Sequence, residues 1–318
     1  MLEQWSALQL FFQSEFLENK VKSAQGILEA LNTSVIRLYF SFLSYVLPIV
    51  NKMNKEFQSE TVQIHVAYSN LCTLFRTILS NYIKKSVLME TSDVFSVKFN
   101  DPNNFLPQSE FHFGSKVETS LGRDVIPESE LSSFKVNCFN FYLELATQIY
   151  RRLSGMNTIM PLLSVCDPNV VKAETVKSLV PLFSKFPQLI TDEYYDECND
   201  EWRNLPFYFD KFKELSNPVK FWYEVAKLKQ ADGQSLFPKL SQLMLNLLVL
   251  PHSSAAVERI FSQVNLIKTN TRNRLNTESV NGLILAKENG GNMSCYDWEP
   301  SLKMITSAQK VYKNISSL

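Results

Sequence analysis

The sequence predicts a mainly α-helical protein, and three observations carry that expectation. Apolar residues recur at three- and four-residue spacing over long stretches, prolines separate those stretches, and no run of alternating strand and helix units appears. In order along the chain, Leu2, Trp5, Leu8, Phe12 and Phe16 mark an amphipathic helix over 2–16. A second helix is expected over 34–57, capped by Thr33 or Ser34 and bent at Pro48. A third is expected over 61–86, with Ile64, Leu71, Leu74, Phe75, Ile78 and Leu79 on one side. The polar Gln58-Ser59-Glu60 break makes the two an antiparallel hairpin.

Residues 93–127 read differently. Pro102, Pro107, Gly114, Gly122 and Pro127 fall among polar residues, which predicts an irregular excursion, with a short strand at 94–99 where apolar and polar residues alternate. Helix resumes over 128–153, and shorter helices are expected at 173–183, 191–203, 218–228 and 236–248, divided by Pro187, Pro206, Pro218 and Pro238.

Composition narrows the function. The chain has 318 residues, 45% hydrophobic and 12% aromatic, enough to build a core. Lys+Arg and Asp+Glu both number 32, so bulk charge gives no case for a nucleic-acid or membrane-surface binder, although local patches stay open. The most apolar stretch, 35–50, is 16 residues long and carries Arg37 and Pro48. It reads as a buried helix and not a membrane span, which needs about 20 apolar residues. Five dispersed cysteines without a CxxC argue against a disulfide framework or a zinc ribbon and for a reducing compartment.

Motifs for catalysis are scarce. There is no GxGxxG, GxxxxGK[ST], HExxH or GxSxG, and neither His65 nor His112 has a second His or a Cys at ligand spacing. No metal site and no cofactor is expected. Residues 191–201, TDEYYDECNDE, carry six carboxylates and no cation. On a helix, 192/196/200 and 193/197/201 make two acidic stripes, read as a solvated face near a helix N-terminus.

The last quarter is the most informative. Residues 247–262 read LLVLPHSSAAVERIFS: a helix end, a break at Pro251, a cap at Ser253 or Ser254, and a new helix to about Ile267. Val257, Ile260, Phe261, Val264 and Ile267 form its apolar stripe. A basic loop with Lys268, Arg272 and Arg274 follows, then a helix capped by Asn276 or Thr277 with Val280, Leu283 and Ile284 along its apolar side. The stripes either pack inside the monomer or face a second copy.

This stretch resembles the C-terminal dimerisation region of hAT-superfamily transposases. The matching residues are the LPxSSAAxERxFS core, the RNRL element at 272–275 and the SVxxLIxxK helix at 279–287. LEQWSALQLFF near the start and LYFSFLSYVLPIVNKMNKEFQSE at 38–60 are similar to domesticated relatives carrying BED-type zinc fingers, though no BED finger spacing occurs here. The resemblance implies a helical insertion joined to the C-terminal helices of a split, incomplete ribonuclease-H-like core. It divides the chain into an insertion-like region at 1–240, the dimerisation region at 241–290 and a tail at 291–318.

In the family, two Asp and one Glu hold divalent metal for DNA cleavage and joining. Glu258 matches that Glu, whereas the Asp-bearing segments, the CxxH and the Arg-Trp pair have no match. The resemblance therefore implies a nuclear protein, otherwise cytoplasmic, that is not an enzyme. Its retained property is homodimerisation through Val257, Ile260, Phe261, Val264, Leu283 and Ile284, with DNA reached through Lys268, Arg272 and Arg274, and no membrane partner. Two alternatives stay open: a helical adaptor unrelated to DNA, and a transposase fragment supplying only Glu258 to a site completed by another chain.

Overall fold

The computed structural model describes residues 2–59, 61–123, 126–153, 155, 158–212, 215–251, 254–290 and 299–315. Among these residues the chain is helical, with no β-strand beyond two isolated bridges, Ile83 with Phe105 and Lys229 with Ser235. It forms two compact units, Met1–Ser253 and Ser254–Leu318.

The first unit opens with α1 (Trp5–Leu17) and α2 (Lys22–Leu31), packed as a hairpin. The buried Trp5 pins them, its ring N–H donating to the Leu31 carbonyl at 3.1 Å and its face meeting Phe40 edge-on. The α2 helix is not among the elements expected from the sequence; its apolar positions are too few to outweigh Gly26 in the periodicity. Next comes α3 (Ser34–Phe57), which continues through Pro48. It is long and apolar enough to cross a membrane by length and composition. In this fold one of its stripes, Leu38, Phe42, Val46 and Met53, is buried in the core.

The third expected helix is shorter than its pattern. Helix α4 (Ile64–Leu79) stops because Asn81 turns its side-chain amide back onto the Thr77 and Ile78 carbonyls and accepts the Tyr45 hydroxyl at 2.8 Å. The backbone then pairs outward, Lys84 N–H with Asn104 O and Leu106 N–H with Tyr82 O, before α5 (Lys85–Glu90) begins. Local side-chain bonding of this kind is how Asn competes with helix continuation.

Residues 93–127 correct two expectations. The strand at 94–99 does not form; Val94–Ser96 is a 3₁₀ turn, capped by the Asp93 carboxylate accepting from Phe95 N–H. The segment is also no surface excursion, since Val94, Phe95, Val97, Phe99 and Phe113 are buried in the core with α3, α4 and α7 (Glu128–Leu153). Aromatic density outweighs proline and glycine content: Phe95 stacks on Phe75 at 5.0 Å, and Phe113 lies parallel to Tyr142, whose hydroxyl donates to His112 O. Gly114, at φ +101°, opens α6 (Ser115–Leu121); a β-carbon there would lie 2.7 Å from the Tyr45 side chain.

A second hydrophobic cluster follows. The expected helix at 173–183 is replaced by α8 (Pro168–Lys172), capped by Asp167, and α9 (Val180–Lys185), with Glu174 in the left-handed region at φ +49° between them. Around them stand α10 (Tyr195–Asn204), α11 (Pro218–Lys227) and α12 (Pro238–Leu248). Trp222 on α11 is fully buried and donates its ring N–H to Cys166 O at 2.9 Å. Burial pushes the thiols of Cys138, Cys166 and Cys198 up to about 12, which leaves them inert as nucleophiles; Cys295 lies outside the described residues.

The second unit contains α13 (Ala255–Ile267), α14 (Thr277–Gly290) and, within the expected tail, α15 (Leu302–Ile315).

Candidate functional site

Helix α13 starts at Ser254, one of the two serines expected to cap it; Ser253 lies outside the described residues. Ser254 has helical backbone angles (φ −84°, ψ 0°), which point its hydroxyl away from the N–H groups a cap would serve. It donates instead to the Glu258 carboxylate at 2.6 Å. Glu258 is exposed in the first turn, where the helix dipole favours an anion. A divalent cation requires several oxygen ligands, and a single carboxylate already taking a serine hydroxyl does not supply them. Among the described residues no group of three or more His, Cys, Asp or Glu converges elsewhere.

The apolar stripe of α13 stands open. Val257 is 52% exposed, Ile260 42% and Phe261 63%, while Val264 and Ile267 are half-buried. On α14, Val280 is buried, Ile284 half-buried and Leu283 exposed. The two helices pack together and are tied by Gln263, whose amide donates to Glu288 at 2.9 Å. The stripe is thus split: its Val264 and Ile267 edge turns inward, and its Val257 and Phe261 edge turns outward. Leu266 and Leu285, which the stripes omit, are exposed as well.

Asn276 is the cap of α14, its side-chain oxygen accepting from Ser279 N–H at 2.8 Å. The loop before it exposes Lys268, Arg272 and Arg274 and is shaped by Arg272 N–H bonding Thr269 O. Residues 268–276 contain no acidic side chain, so the loop is a local positive patch on a neutral chain.

Residues 192–289 match the family model of the hAT family C-terminal dimerisation region. This chain carries a hAT-superfamily dimerisation region. No solved structure matches the chain. The hAT region begins well before the motif at 247–262 and takes in α10, α11 and α12.

In that upstream part the acidic segment departs from its expected form. Asp192–Tyr194 is a 3₁₀ turn, and Glu201 is buried instead of solvated. Pro238 opens α12 at a position where Phe237 offers no side-chain acceptor. Glu201 supplies one from α10, accepting Lys239 N–H at 3.3 Å and Leu240 N–H at 2.8 Å. The Lys239 ammonium in turn lies 3.3 Å from the centre of the Tyr194 ring. Nothing in the sequence pairs a carboxylate on one helix with the N-terminus of another 37 residues later, which is why the spacing alone assigned Glu201 to the surface.

Proposed function

We propose that this protein is a catalytically incompetent, transposase-derived chain whose retained activity is homodimerisation through the α13–α14 face. The observation that carries the reading is the coincidence of the hAT dimerisation region with a contiguous exposed apolar face built from Val257, Ile260, Phe261 and Leu283. Large apolar side chains grouped on a surface favour burial, each contributing on the order of 1.5–3 kcal/mol when covered. In this reading α13 and α14 descend from the closing helices of a ribonuclease-H-like core, the Met1–Ser253 unit descends from its helical insertion, and the protein works in the nucleus. Incompetence rests on Glu258: two-metal phosphoryl chemistry needs carboxylates that hold ions about 3.5–4 Å apart, and Glu258 has a serine as its recorded partner.

The test is the solution mass of the full chain by light scattering, beside Phe261→Asp/Leu283→Asp. Wild type is expected at twice 36.6 kDa and the variant at 36.6 kDa with unchanged helical circular dichroism. A monomeric wild type sinks the reading.

A second reading, association with DNA phosphates, is favoured by the acid-free loop at Lys268, Arg272 and Arg274. Duplex binding should weaken with salt, and replacing all three by Ala should flatten the log–log salt slope by about 3. A slope unchanged by the triple replacement places any DNA contact elsewhere.

A further inference from the structure

Helix α1 is apolar on two sides. Trp5, Leu8, Phe12 and Phe16 form the side that meets α2, whereas Leu10, Phe11 and Leu17 are exposed together on the other, 67%, 55% and 62% accessible. A helix that covers only one of two apolar faces has a second partner to find. Glu18 lies one α-helical repeat of seven beyond Phe11, on this outer face. Residues 1–19 hold Glu3, Glu15 and Glu18 and no Lys or Arg, so the outer face is both apolar and acidic.

The same unit carries the complement. Between the C-terminal end of α4 and α5 runs a groove of about 670 Å³, within the usual range for a recognition cleft. Ile83, Leu88 and Leu106 give it an apolar floor, Met89 stands exposed at its wall, and Arg76 and Lys85 are its charged residues. The remaining lining side chains are Ser80, Thr91 and Ser92, so no carboxylate faces the groove and none of α1 occupies it. Apolar floor and cationic wall suit an amphipathic helix bearing acids.

We propose that this groove receives the outer face of α1 from a second copy of the chain, Leu10, Phe11 and Leu17 entering the floor while Glu3 and Glu18 meet Arg76 and Lys85. The contact is distinct from the α13–α14 face and would join protomers or dimers through a second surface. Because each copy offers both a helix and a groove, the contact either closes as a reciprocal pair or propagates.

The experiment uses the full chain carrying Phe261→Asp/Leu283→Asp, so that association through the C-terminal face does not mask the second contact, and follows mass against concentration by sedimentation velocity. Mass is expected to rise with concentration and to fall with added salt. Arg76→Glu/Lys85→Glu should weaken association at least about tenfold, Leu10→Ser/Leu17→Ser should abolish it, and Glu3→Lys/Glu18→Lys in the Arg76→Glu/Lys85→Glu background should restore it. All these positions except Lys85's short helix lie on established surface, and circular dichroism checks that each variant folds. A mass that stays at one protomer across the series overturns the proposal, as does association indifferent to the groove charges. Loss on groove reversal without rescue from α1 assigns the groove to another occupant and overturns it too. Failure of the α13–α14 reading is seen separately, as equal masses for wild type and Phe261→Asp/Leu283→Asp at low concentration.

Discussion

Trp222→Ala is expected to cost about 4–6 kcal/mol and to leave the Met1–Ser253 unit near its unfolding midpoint under native conditions. Two losses add. Truncating a fully buried tryptophan to alanine typically removes about 3–5 kcal/mol in transfer and cavity terms. Trp222 qualifies: it is wholly enclosed, meets Phe221 edge-on at 5.1 Å, and belongs to the cluster shared by α10, α11 and α12. Its ring N–H also satisfies the Cys166 carbonyl, 56 residues earlier in sequence, and a buried carbonyl stripped of its donor costs roughly another 1 kcal/mol or more. Total stability of a domain is about 5–15 kcal/mol, so a change of this size decides whether the unit folds. Urea titration followed by far-ultraviolet circular dichroism measures it. Trp222→Phe separates the terms, since it keeps most of the volume and loses the hydrogen bond. A cost below about 2 kcal/mol for Trp222→Ala would mean the second cluster is not one cooperative core.

Much of this architecture was legible because it depends on periodicity. The α3 and α7 helices stand where their apolar spacing puts them, and α11 begins at Pro218, a residue suited to the first helical turn. The failures occur where local and tertiary signals disagree. At 93–127 the prolines and glycines correctly exclude a long helix, yet Val94, Phe95, Val97, Phe99 and Phe113 carry enough apolar surface to draw an irregular backbone into the core. At Asn81 one side chain bonding two carbonyls and a tyrosine ends a helix whose apolar spacing runs on. The candidate site divides in the same way. The α13 and α14 stripes and the Asn276 cap were readable from spacing. That Val257 and Phe261 face outward while Val264 turns inward was not, because it depends on how α14 lies against α13.

Glu201 is the residue whose role is least visible in sequence, and its replacement is expected to have the second-largest effect. Glu201→Ala removes the acceptor for both Lys239 N–H and Leu240 N–H at the start of α12. Losing a helix cap costs about 0.5–2 kcal/mol, and two buried donors left without partners raise that to roughly 2–4 kcal/mol. The effect should reach Leu240, Leu243, Met244 and Leu247, which α12 contributes to the second core cluster, and so disturb the upstream half of the hAT region. The carboxyl also sets a pH dependence. Burial pushes it up from 4.5 to about 6, opposed by the two backbone N–H groups that favour the charged form. The folded state therefore holds a proton that the unfolded chain has already released between pH 4.5 and 6. Stability linked to this group is fully present below pH 4.5 and is lost as pH rises through 6. With solvent screening of its outer side counted, the loss is on the order of 1 kcal/mol. Glu201→Gln keeps one oxygen for Leu240 N–H and does not titrate. It should cost less than Glu201→Ala and flatten the stability profile between pH 4.5 and 6. Denaturant midpoints measured at pH 4.5, 6 and 7.5 for the three proteins provide the check; a Gln variant with the wild-type slope would assign the titration to another group.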